Sequence, residues 1–428
     1  MIPGLLASSI FGVSLWLIFS EKVNRTIVAI GGAALMVAVG RLLGFYAEAD
    51  AIAATDFNTL GLLLGMMLLV AMLEPTGFFQ FLAVWAGRLS GGRPVRLLVL
   101  LGGVTTVLSM FLDNVTTVVL IAPVTILICE IVGLSPAPLL IAEALLSNTG
   151  GVATLIGDPP NVLIASASGL TFNDFLTHTL PVVVVAWLAA LALLRHLFRA
   201  DLPPHPAGAD AVLQLNPAQT LEDWPTARKT LIVLGAAIAL FFAHSWLEVE
   251  PALIALSAAA AALAWVRPDI HSLLKRVEWS VLIFFAALFV MVGGLEAAGV
   301  LDAIARAIAQ LRGLPPVVMG VLLLWVVAAL SAVVDNVPIT IAMLPVIESL
   351  GEAGLATRPL WWALAFGAGF GGNGTLIGST ANIVVATLSE RTRAPITSAL
   401  WLKRGLPVML ATCGIASVLY ALAYPLFQ

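Results

Sequence analysis

Two short polar motifs, each with a carboxylate beside an amide, interrupt long apolar stretches of this chain. The first is Asp113-Asn114-Val115-Thr116-Thr117 and the second is Asp335-Asn336-Val337. An ionisable side chain within such a stretch is expensive in a membrane and marks a functional site by default. The residues predicted to bind an ion or substrate here are Asp113, Asn114, Thr116, Asp335 and Asn336. The alternative is that each aspartate only caps the helix that follows it.

A second pair of motifs combines glycine with hydroxyl and amide side chains. Residues 150–161 read Gly-Gly-Val-Ala-Thr-Leu-Ile-Gly-Asp-Pro-Pro-Asn, and residues 371–382 read Gly-Gly-Asn-Gly-Thr-Leu-Ile-Gly-Ser-Thr-Ala-Asn. Glycine lets a helix break, and the next helix then presents free N–H groups and positive potential to a ligand. The predicted backbone breaks are Gly150, Gly151, Gly157, Gly371, Gly372 and Gly378. The predicted ligands are Thr154, Asp158, Asn161, Thr375, Ser379 and Asn382. The alternative interpretation of the glycines is close packing of helices.

Asp158 breaks the match between these two motifs, because the equivalent position is Ser379. A serine does not titrate at physiological pH, so one extra carboxyl group suits a single proton or cation site. The alternative is that Asp158 caps the helix that begins at Pro159. No Lys or Arg falls within the four motifs. This predicts a site without fixed positive side chains, suited to a cation, a proton or a neutral hydroxylated solute.

The composition indicates that the elements carrying these motifs lie in lipid. Of the 428 residues, 61% are hydrophobic and 10% are charged, whereas soluble proteins carry about 25% charged residues. The two cysteines can build neither a disulfide framework nor a zinc site. The sequence has no basic run for nucleic acid and no nucleophile–base or metal constellation. It therefore predicts no nucleic-acid partner, no cofactor, no metal and no enzymatic activity.

Ten stretches are apolar and long enough to be spanning helices. They are 4–20, 26–44, 58–80, 138–168, 175–197, 229–246, 251–266, 279–299, 359–389 and 405–425. The fourth and the ninth contain the glycine motifs and are predicted to break midway. The Asp-Asn motifs lie in 97–132 and 315–350, which we predict to be re-entrant hairpins that enter and leave on the same side.

Positive charges indicate the orientation of these helices. If the N-terminus lies outside the cytoplasm, 16 of the 20 Lys and Arg residues fall in inside loops. The four in outside loops are Arg41, Arg306, Arg312 and Arg358. Cytoplasmic loops are enriched in Lys and Arg, so we expect a multi-pass inner (plasma) membrane protein with both termini outside. Residues 199–228 are then a cytoplasmic linker.

The two halves of the chain repeat one pattern at a nearly constant offset. The Asp113 and Asp335 motifs are 222 residues apart, and the motifs that begin at Gly150 and Gly371 are 221 apart. Five passes and a hairpin in each half insert the halves in opposite directions, which is typical of secondary transporters. The predicted fold is an all-α membrane protein of about ten transmembrane helices in two inverted five-helix repeats, each with a re-entrant hairpin and a broken helix. The repeats are 1–198 and 229–428, on either side of the linker 199–228.

At these motifs the sequence resembles the ion-transporter superfamily, in the branch that joins arsenite/antimonite efflux permeases (ArsB type), NhaD-type sodium/proton antiporters and the P-protein. The segments that carry the likeness are 58–67, 113–117, 157–162 and 371–378, and the likeness covers nearly the whole chain. The sequence looks less like the citrate and dicarboxylate carriers, whose hairpin tips read Ser-Asn-Thr. The resemblance implies inverted repeats, re-entrant hairpins and a homodimer, with a cytoplasmic ATPase subunit if the chain is an arsenite pump.

The motifs and the resemblance together predict a proton-coupled exporter of arsenite or antimonite. Trivalent arsenic is an uncharged hydroxide at neutral pH, and amide and hydroxyl groups of both repeats could bind it while aspartates carry protons. Two alternatives use the same residues: a sodium/proton antiporter, and a sodium-coupled transporter of an organic anion. A passive channel is a further alternative, against which the two symmetric hairpins argue. The expected partners are a small inorganic solute or ion and the lipid bilayer, with a proton or sodium as the coupling ion.

Overall fold

All the described secondary structure is helical. The computed structural model describes residues 2–19, 23–203, 208–301, 303, 314–352 and 354–428. Within these ranges it contains α-helices and short 3-10 helices but no strand. The predicted loop residues Lys22, Arg306 and Arg312 lie outside the described ranges. The all-α membrane fold predicted from the sequence is confirmed.

The first ten helices carry the first copies of both motifs. They are α1 (Ile2–Phe19), α2 (Arg25–Leu43), α3 (Glu48–Ala53), α4 (Phe57–Leu73), α5 (Phe78–Ser90), α6 (Pro94–Ser109), α7 (Asn114–Val132), α8 (Ala137–Gly151), α9 (Pro159–Ser168) and α10 (Phe172–Leu197). The first Asp-Asn motif connects α6 to α7, which together we call hairpin 1. The first glycine motif separates α8 from α9, which together we call broken helix 1.

The remaining helices carry the second copies. They are α11 (Ala209–Leu213), α12 (Trp224–Leu247), α13 (Pro251–Val266), α14 (Ile270–Leu274), α15 (Trp279–Ala297), α16 (Pro316–Val333), α17 (Asn336–Glu352), α18 (Arg358–Gly371), α19 (Thr380–Ser389) and α20 (Ser398–Leu422). Hairpin 2 denotes α16 with α17, and broken helix 2 denotes α18 with α19. A short 3-10 turn, Leu376–Gly378, lies inside the second break.

Eight helices of the described ranges are long and apolar enough to cross a membrane, by length and composition. Six of them fall on predicted spans, and two, α7 and α16, are arms of the predicted hairpins. The predicted spans 4–20 and 251–266 correspond to the shorter apolar helices α1 and α13. The other two predicted spans are the broken helices, whose arms have 10 to 15 residues each. An arm of that length is too short to cross a bilayer alone.

Helix α5 is an element that the sequence did not predict. The predicted span 58–80 contains two elements, because α4 ends at Leu73 and α5 begins at Phe78. Gly77 lies between them with φ at 76°, a left-handed conformation that ends helices and favours glycine. One face of α5 is buried and packs against α6 and α7. The helix therefore leads from α4 to the start of hairpin 1.

The described helices recur in the same order in both halves. Phe57 and Trp279 begin α4 and α15, and Asn114 and Asn336 begin α7 and α17, each pair 222 residues apart. The two halves also exchange partners, since α4 packs on α13 and α15 packs on α2. In the same way α9 packs on α17, and α19 packs on α7. The hairpin of each half therefore meets the broken helix of the other half.

The described part of the linker 199–228 lies against the first half. The Gly208 N–H donates to the Val132 carbonyl at 3.3 Å, and the Glu222 N–H donates to the Thr76 carbonyl at 2.9 Å. Helix α11 packs on α5 and α7. Helix α12 begins inside the predicted linker, because the carboxylate of Asp223 caps its first turn. The domain bounds at 198 and 229 stay a prediction.

Candidate functional site

Both hairpin tips and both helix breaks contribute to one cavity of about 430 Å³, which we call the central cavity. Seven of the eleven predicted ligands line it: Asp113, Asn114, Thr116, Asp158, Asp335, Asn336 and Ser379. The cavity follows α4 to its C-terminal end, where Glu74 and Arg276 form a part-exposed ion pair at 3.2 Å. The structure therefore joins residues that are more than 200 positions apart in the sequence.

The tip of hairpin 1 is held by its own aspartate. Asp113 accepts a hydrogen bond from the Thr116 N–H at 2.8 Å and another from the Thr116 hydroxyl. These bonds cap α7, as the capping interpretation of the motif predicts. The neighbouring Asn114 amide donates to Asn148 Oδ1 at 2.9 Å. Capping and lining the cavity are thus combined in Asp113.

The tip of hairpin 2 meets Asp158. Asn336 Nδ2 donates to Asp158 Oδ2 at 2.9 Å, and the Asp158 side chain is buried. Asp158 stands before α9 but makes no capping hydrogen bond with its side chain, so the predicted cap is wrong. The reason is that its carboxylate turns towards hairpin 2 instead of the N–H groups of its own helix. Ser379 also makes no cap and donates to Asn148 Oδ1 at 3.0 Å.

The other four predicted ligands lie behind the cavity wall and hold the breaks together. Thr154 donates its hydroxyl hydrogen to the Met110 carbonyl, and Thr375 does the same to the Ala332 carbonyl. The amide of Asn161 donates to the carbonyls of Gly151 at 3.1 Å, Val152 at 3.3 Å and Thr154 at 2.8 Å. The amide of Asn382 donates to the carbonyls of Gly372 at 2.8 Å and Thr375 at 2.9 Å. Each break is therefore joined to a hairpin tip by a threonine and closed by an asparagine.

The glycines of the breaks are needed for close approach. Helix α8 ends at Gly151 and α18 ends at Gly371, as predicted. Neither Gly157 nor Gly378 has a positive φ. A Cβ on Gly157 would lie 2.6 Å from the Gly151 carbonyl, and one on Gly378 would lie 2.8 Å from the Gly372 carbonyl. The helices do break at these motifs, but the glycines are required there because backbones touch, as the packing interpretation predicts.

Asn148 is a central residue that the sequence analysis missed. Its Oδ1 accepts from Asn114 and Ser379, and its Nδ2 donates to Asn373 Oδ1 at 3.1 Å and Asn382 Oδ1 at 3.0 Å. The buried amide thus joins hairpin 1 to both broken helices. The signal in the sequence was the polar run Ser-Asn-Thr at 147–149, within an otherwise apolar helix.

Arg25 corrects the expectation of a site without fixed positive charge. Its Nη1 lies 2.8 Å from Asp335 Oδ2 and donates to Thr380 Oγ1 at 3.0 Å. Thr380 in turn donates to Asp335 Oδ2 at 2.6 Å, and the guanidinium lies 5.4 Å from the ring centroid of Phe284. Arg25 lies outside all four motifs, and the packing of α2 on α15 brings it into the central cavity. No spacing within the sequence links it to a residue 310 positions away.

Comparison with known sequences identifies the family. The family model described as "Citrate transporter" (CitMHS) matches residues 15–367. An uncharacterized transporter of Mycobacterium tuberculosis is 39% identical, over 99% of each chain. The human P protein is 34% identical over 93% of this chain, which corresponds to 57% of the P protein. The resemblance to the P-protein branch is confirmed, whereas the apparent distance from citrate carriers does not place the chain outside their family.

A solved structure supports the same fold. The crystal structure of the YdaH transporter of Alcanivorax borkumensis, described as having an unusual topology, aligns with a TM-score of 0.59. The alignment covers 99% of this chain and 98% of that one at 16% identity, so it speaks for the fold alone. Together with the apolar helices and the polar cavity between them, these matches show a multi-pass membrane transporter. The chain belongs to the citrate transporter (CitMHS) family of the ion-transporter superfamily.

Proposed function

We propose that the chain is a proton-coupled secondary transporter that exports arsenite or antimonite. The observation that carries this proposal is the lining of the central cavity, where Asp113, Asp158 and Asp335 face one space with amide and hydroxyl groups. Arg25 offsets the charge of Asp335 alone. The site thus has more carboxyl groups than cations near the hairpin tips, and this favours exchange of protons over binding of a multiply charged anion.

The state of the break carbonyls favours a proton over sodium as the coupling ion. Unwound carbonyls near a helix break are the usual oxygen ligands for a sodium ion in such transporters. Here the Asn161 amide takes the carbonyls of Gly151, Val152 and Thr154 in the first break. The Asn382 amide takes two carbonyls of the second break. These oxygens are therefore already bonded to N–H groups.

The solute is assigned from charge and hydrogen bonding. Trivalent arsenic and antimony are uncharged hydroxides near neutral pH, so they need donors and acceptors but no countercharge. Asn114, Asn336, Thr116 and Ser379 offer both kinds of group along the central cavity. Arg25 is paired and does not add a net positive charge. These features support a small neutral hydroxylated solute.

A second candidate is transport of an organic anion. Arg25 supports it, because a guanidinium in a cavity can bind a carboxylate in two-point geometry if Asp335 releases it. The description of the matching family, citrate transporter, supports it as well. In that case the carboxylate of the solute would replace Asp335 on Arg25. The two candidates differ in whether the solute carries charge.

Arsenite accumulation in inside-out membrane vesicles tests the proposal. We expect vesicles that contain the chain to accumulate arsenite when their lumen is made acidic, because protons then leave as the solute enters. Vesicles without the chain, and vesicles treated with an uncoupler, serve as controls. Omitting sodium is expected to change nothing. Sodium-driven proton movement without arsenite uptake would instead indicate an antiporter, and sodium-dependent uptake of citrate would indicate an organic-anion transporter.

The proposal includes an orientation in the inner membrane. With both termini outside, the linker residue Asp210 is cytoplasmic, and its side chain is exposed on α11. We expect Asp210→Cys to escape a membrane-impermeant thiol reagent in intact cells and to react after permeabilisation. Cys129 and Cys413 are buried and give a low background. Strong labelling in intact cells would reverse the orientation. A homodimer, and an ATPase subunit on the cytoplasmic side, belong to the same proposal.

A further inference from the structure

A second cavity, of about 710 Å³, lies at the N-terminal end of α4, opposite the end that the central cavity follows. We call it the distal vestibule. Its polar lining includes Asn58, Thr171, His244 and Glu250. The end of α10 nearest to it begins at Phe172, one residue after Thr171. The protein therefore has cavities at both ends of the same helix.

Hydrogen bonds between helices hold the walls of the distal vestibule in place. Asn58 Nδ2 donates to Glu250 Oε2 at 2.9 Å, and Asn58 Oδ1 accepts from the Ala252 N–H at 3.1 Å. His244 Nε2 accepts from the Phe172 N–H at 3.2 Å. These contacts join α4 to α13 and α10 to α12. The vestibule is a formed polar space between packed helices.

One layer of side chains separates the two cavities. Helix α4 contributes Asn58 to the distal vestibule and Met66 to the central cavity, and Leu62 between them lines both. Helix α9 contributes Ser166 to the distal vestibule and Pro159 to the central cavity, and Val162 lines both. The side chains of Leu62 and Val162 are 2% and 3% exposed. The wall at this seam is therefore apolar and one residue thick.

We propose that Leu62 and Val162 form an apolar gate, and that the transported solute passes between α4 and α9 into the distal vestibule when this gate opens. An apolar constriction excludes water and ions when it is narrow and lets them through when it widens. Asp158 lies four residues before Val162, so the buried carboxyl group and the gate are on successive turns of one segment. The inference rests on the chain being a transporter with its site at the hairpin tips. It does not depend on which solute is carried.

The repeat supplies an independent comparison for this gate. The position equivalent to Leu62, 222 residues later, is Phe284 on α15. Phe284 lines the central cavity, as does Thr380 at the start of α19. The seam between α15 and α19 is therefore open to the cavity at the equivalent position, while the seam between α4 and α9 is closed by Leu62 and Val162.

Passive leak through reconstituted protein tests the gate. We expect the double variant Leu62→Ala/Val162→Ala to raise proton leak into liposomes about tenfold or more, measured with a pH-sensitive dye and no solute present, because deleted methylene groups no longer exclude water. The matched control is Leu69→Ala/Ile164→Ala, which shortens two buried side chains of the same helices that line neither cavity. Equal leak in both double variants would overturn the gate.

Thiol labelling gives a second readout that does not depend on flux. With Cys129 and Cys413 replaced by alanine, Met66→Cys reports access to the central cavity. We expect an impermeant reagent on the side of Asn58 to reach this cysteine in the Leu62→Ala/Val162→Ala background, but not in the Leu69→Ala/Ile164→Ala background. Labelling that is the same in both backgrounds would overturn the proposal. Arsenite transport is not used in either assay, so failure of the proposed solute leaves this test intact.

Discussion

Asp158→Asn is expected to reduce proton-driven arsenite accumulation to the level of vesicles that lack the chain, while the protein still inserts and folds. An asparagine has the shape of an aspartate, and its Oδ1 can still accept the hydrogen bond from Asn336 Nδ2. No cap is lost, because the Asp158 side chain does not cap α9. What disappears is the group that can hold and release a proton. The loss should therefore appear in transport and not in stability.

The location of Asp158 explains why its loss should be larger than that of other carboxyl groups. Its side chain is buried, and it shares the central cavity with Asp113 and Asp335. A proton on this carboxyl group removes a charge that lies beside two others, so loading and release change the charge of the whole site. Asp113 instead holds the cap of α7, and Asp335 is paired with Arg25.

Two controls make this result decisive. Asp158→Glu keeps a titratable group and is expected to retain part of the accumulation. Asp223→Asn removes a carboxylate that caps α12 outside both cavities, and the amide can keep the cap, so accumulation should be unchanged. Both are measured in inside-out vesicles with matched protein amounts. If Asp158→Asn accumulates arsenite as well as the unmodified chain, Asp158 carries no proton in transport.

Local sequence features predicted the elements of the site well. An Asp-Asn pair inside an apolar stretch predicts a turn with a capped helix after it, and Asp113 caps α7 in that way. Paired glycines predict a break, and α8 and α18 end there. The constant offset predicts that each element occurs twice, as α7 and α17 do. These features depend on residues close together in the chain, so their chemistry is visible in the sequence.

Features that depend on packing between the halves were not predictable in this way. Arg25 reaches the central cavity because α2 packs on α15, and nothing near it in the sequence marks this contact. The carboxylate of Asp158 stands at a helix start and suggests a cap, but hairpin 2 supplies a competing partner in Asn336. Thr154 and Asn161 look like ligands by type, yet the backbone of the break takes their hydrogen bonds. The residue type was informative, and the partner came from the other half.

The two halves differ most where the broken helices cross. Asn148 bonds to Asn373, whereas at the equivalent positions Gly369 lies against Val152, so closely that a Cβ would be 2.2 Å from its Cγ2. The tip of hairpin 1 thus rests on a neutral amide network that includes Asn148. The tip of hairpin 2 rests on Asp158 and on the Arg25 ion pair. The charged groups that can change during transport are concentrated at hairpin 2.

Breaking the Arg25–Asp335 ion pair is the second change with a large expected effect. Asp335→Asn should abolish transport and lower the free energy of unfolding by about 1–2 kcal/mol, because it leaves a half-buried guanidinium without its carboxylate. The value is kept below that of a fully buried pair, since the two side chains are 35% and 19% exposed. Asp113→Asn has no cation to strand and keeps the cap of α7, so it should cost less stability.

A double-mutant cycle separates the ion pair from the two single side chains. In Arg25→Gln/Asp335→Asn neither charge is left alone, so stability should return most of the way while transport stays lost. Glu74→Gln is the matched control, because it breaks the more exposed pair with Arg276, whose side chains are 40% and 36% exposed, at the end of the same cavity. It should change stability little. Thermal unfolding of the purified protein measures all four variants. If the double variant is no more stable than Asp335→Asn, the pair does not hold α2 to hairpin 2, and Arg25 is free to bind a solute carboxylate.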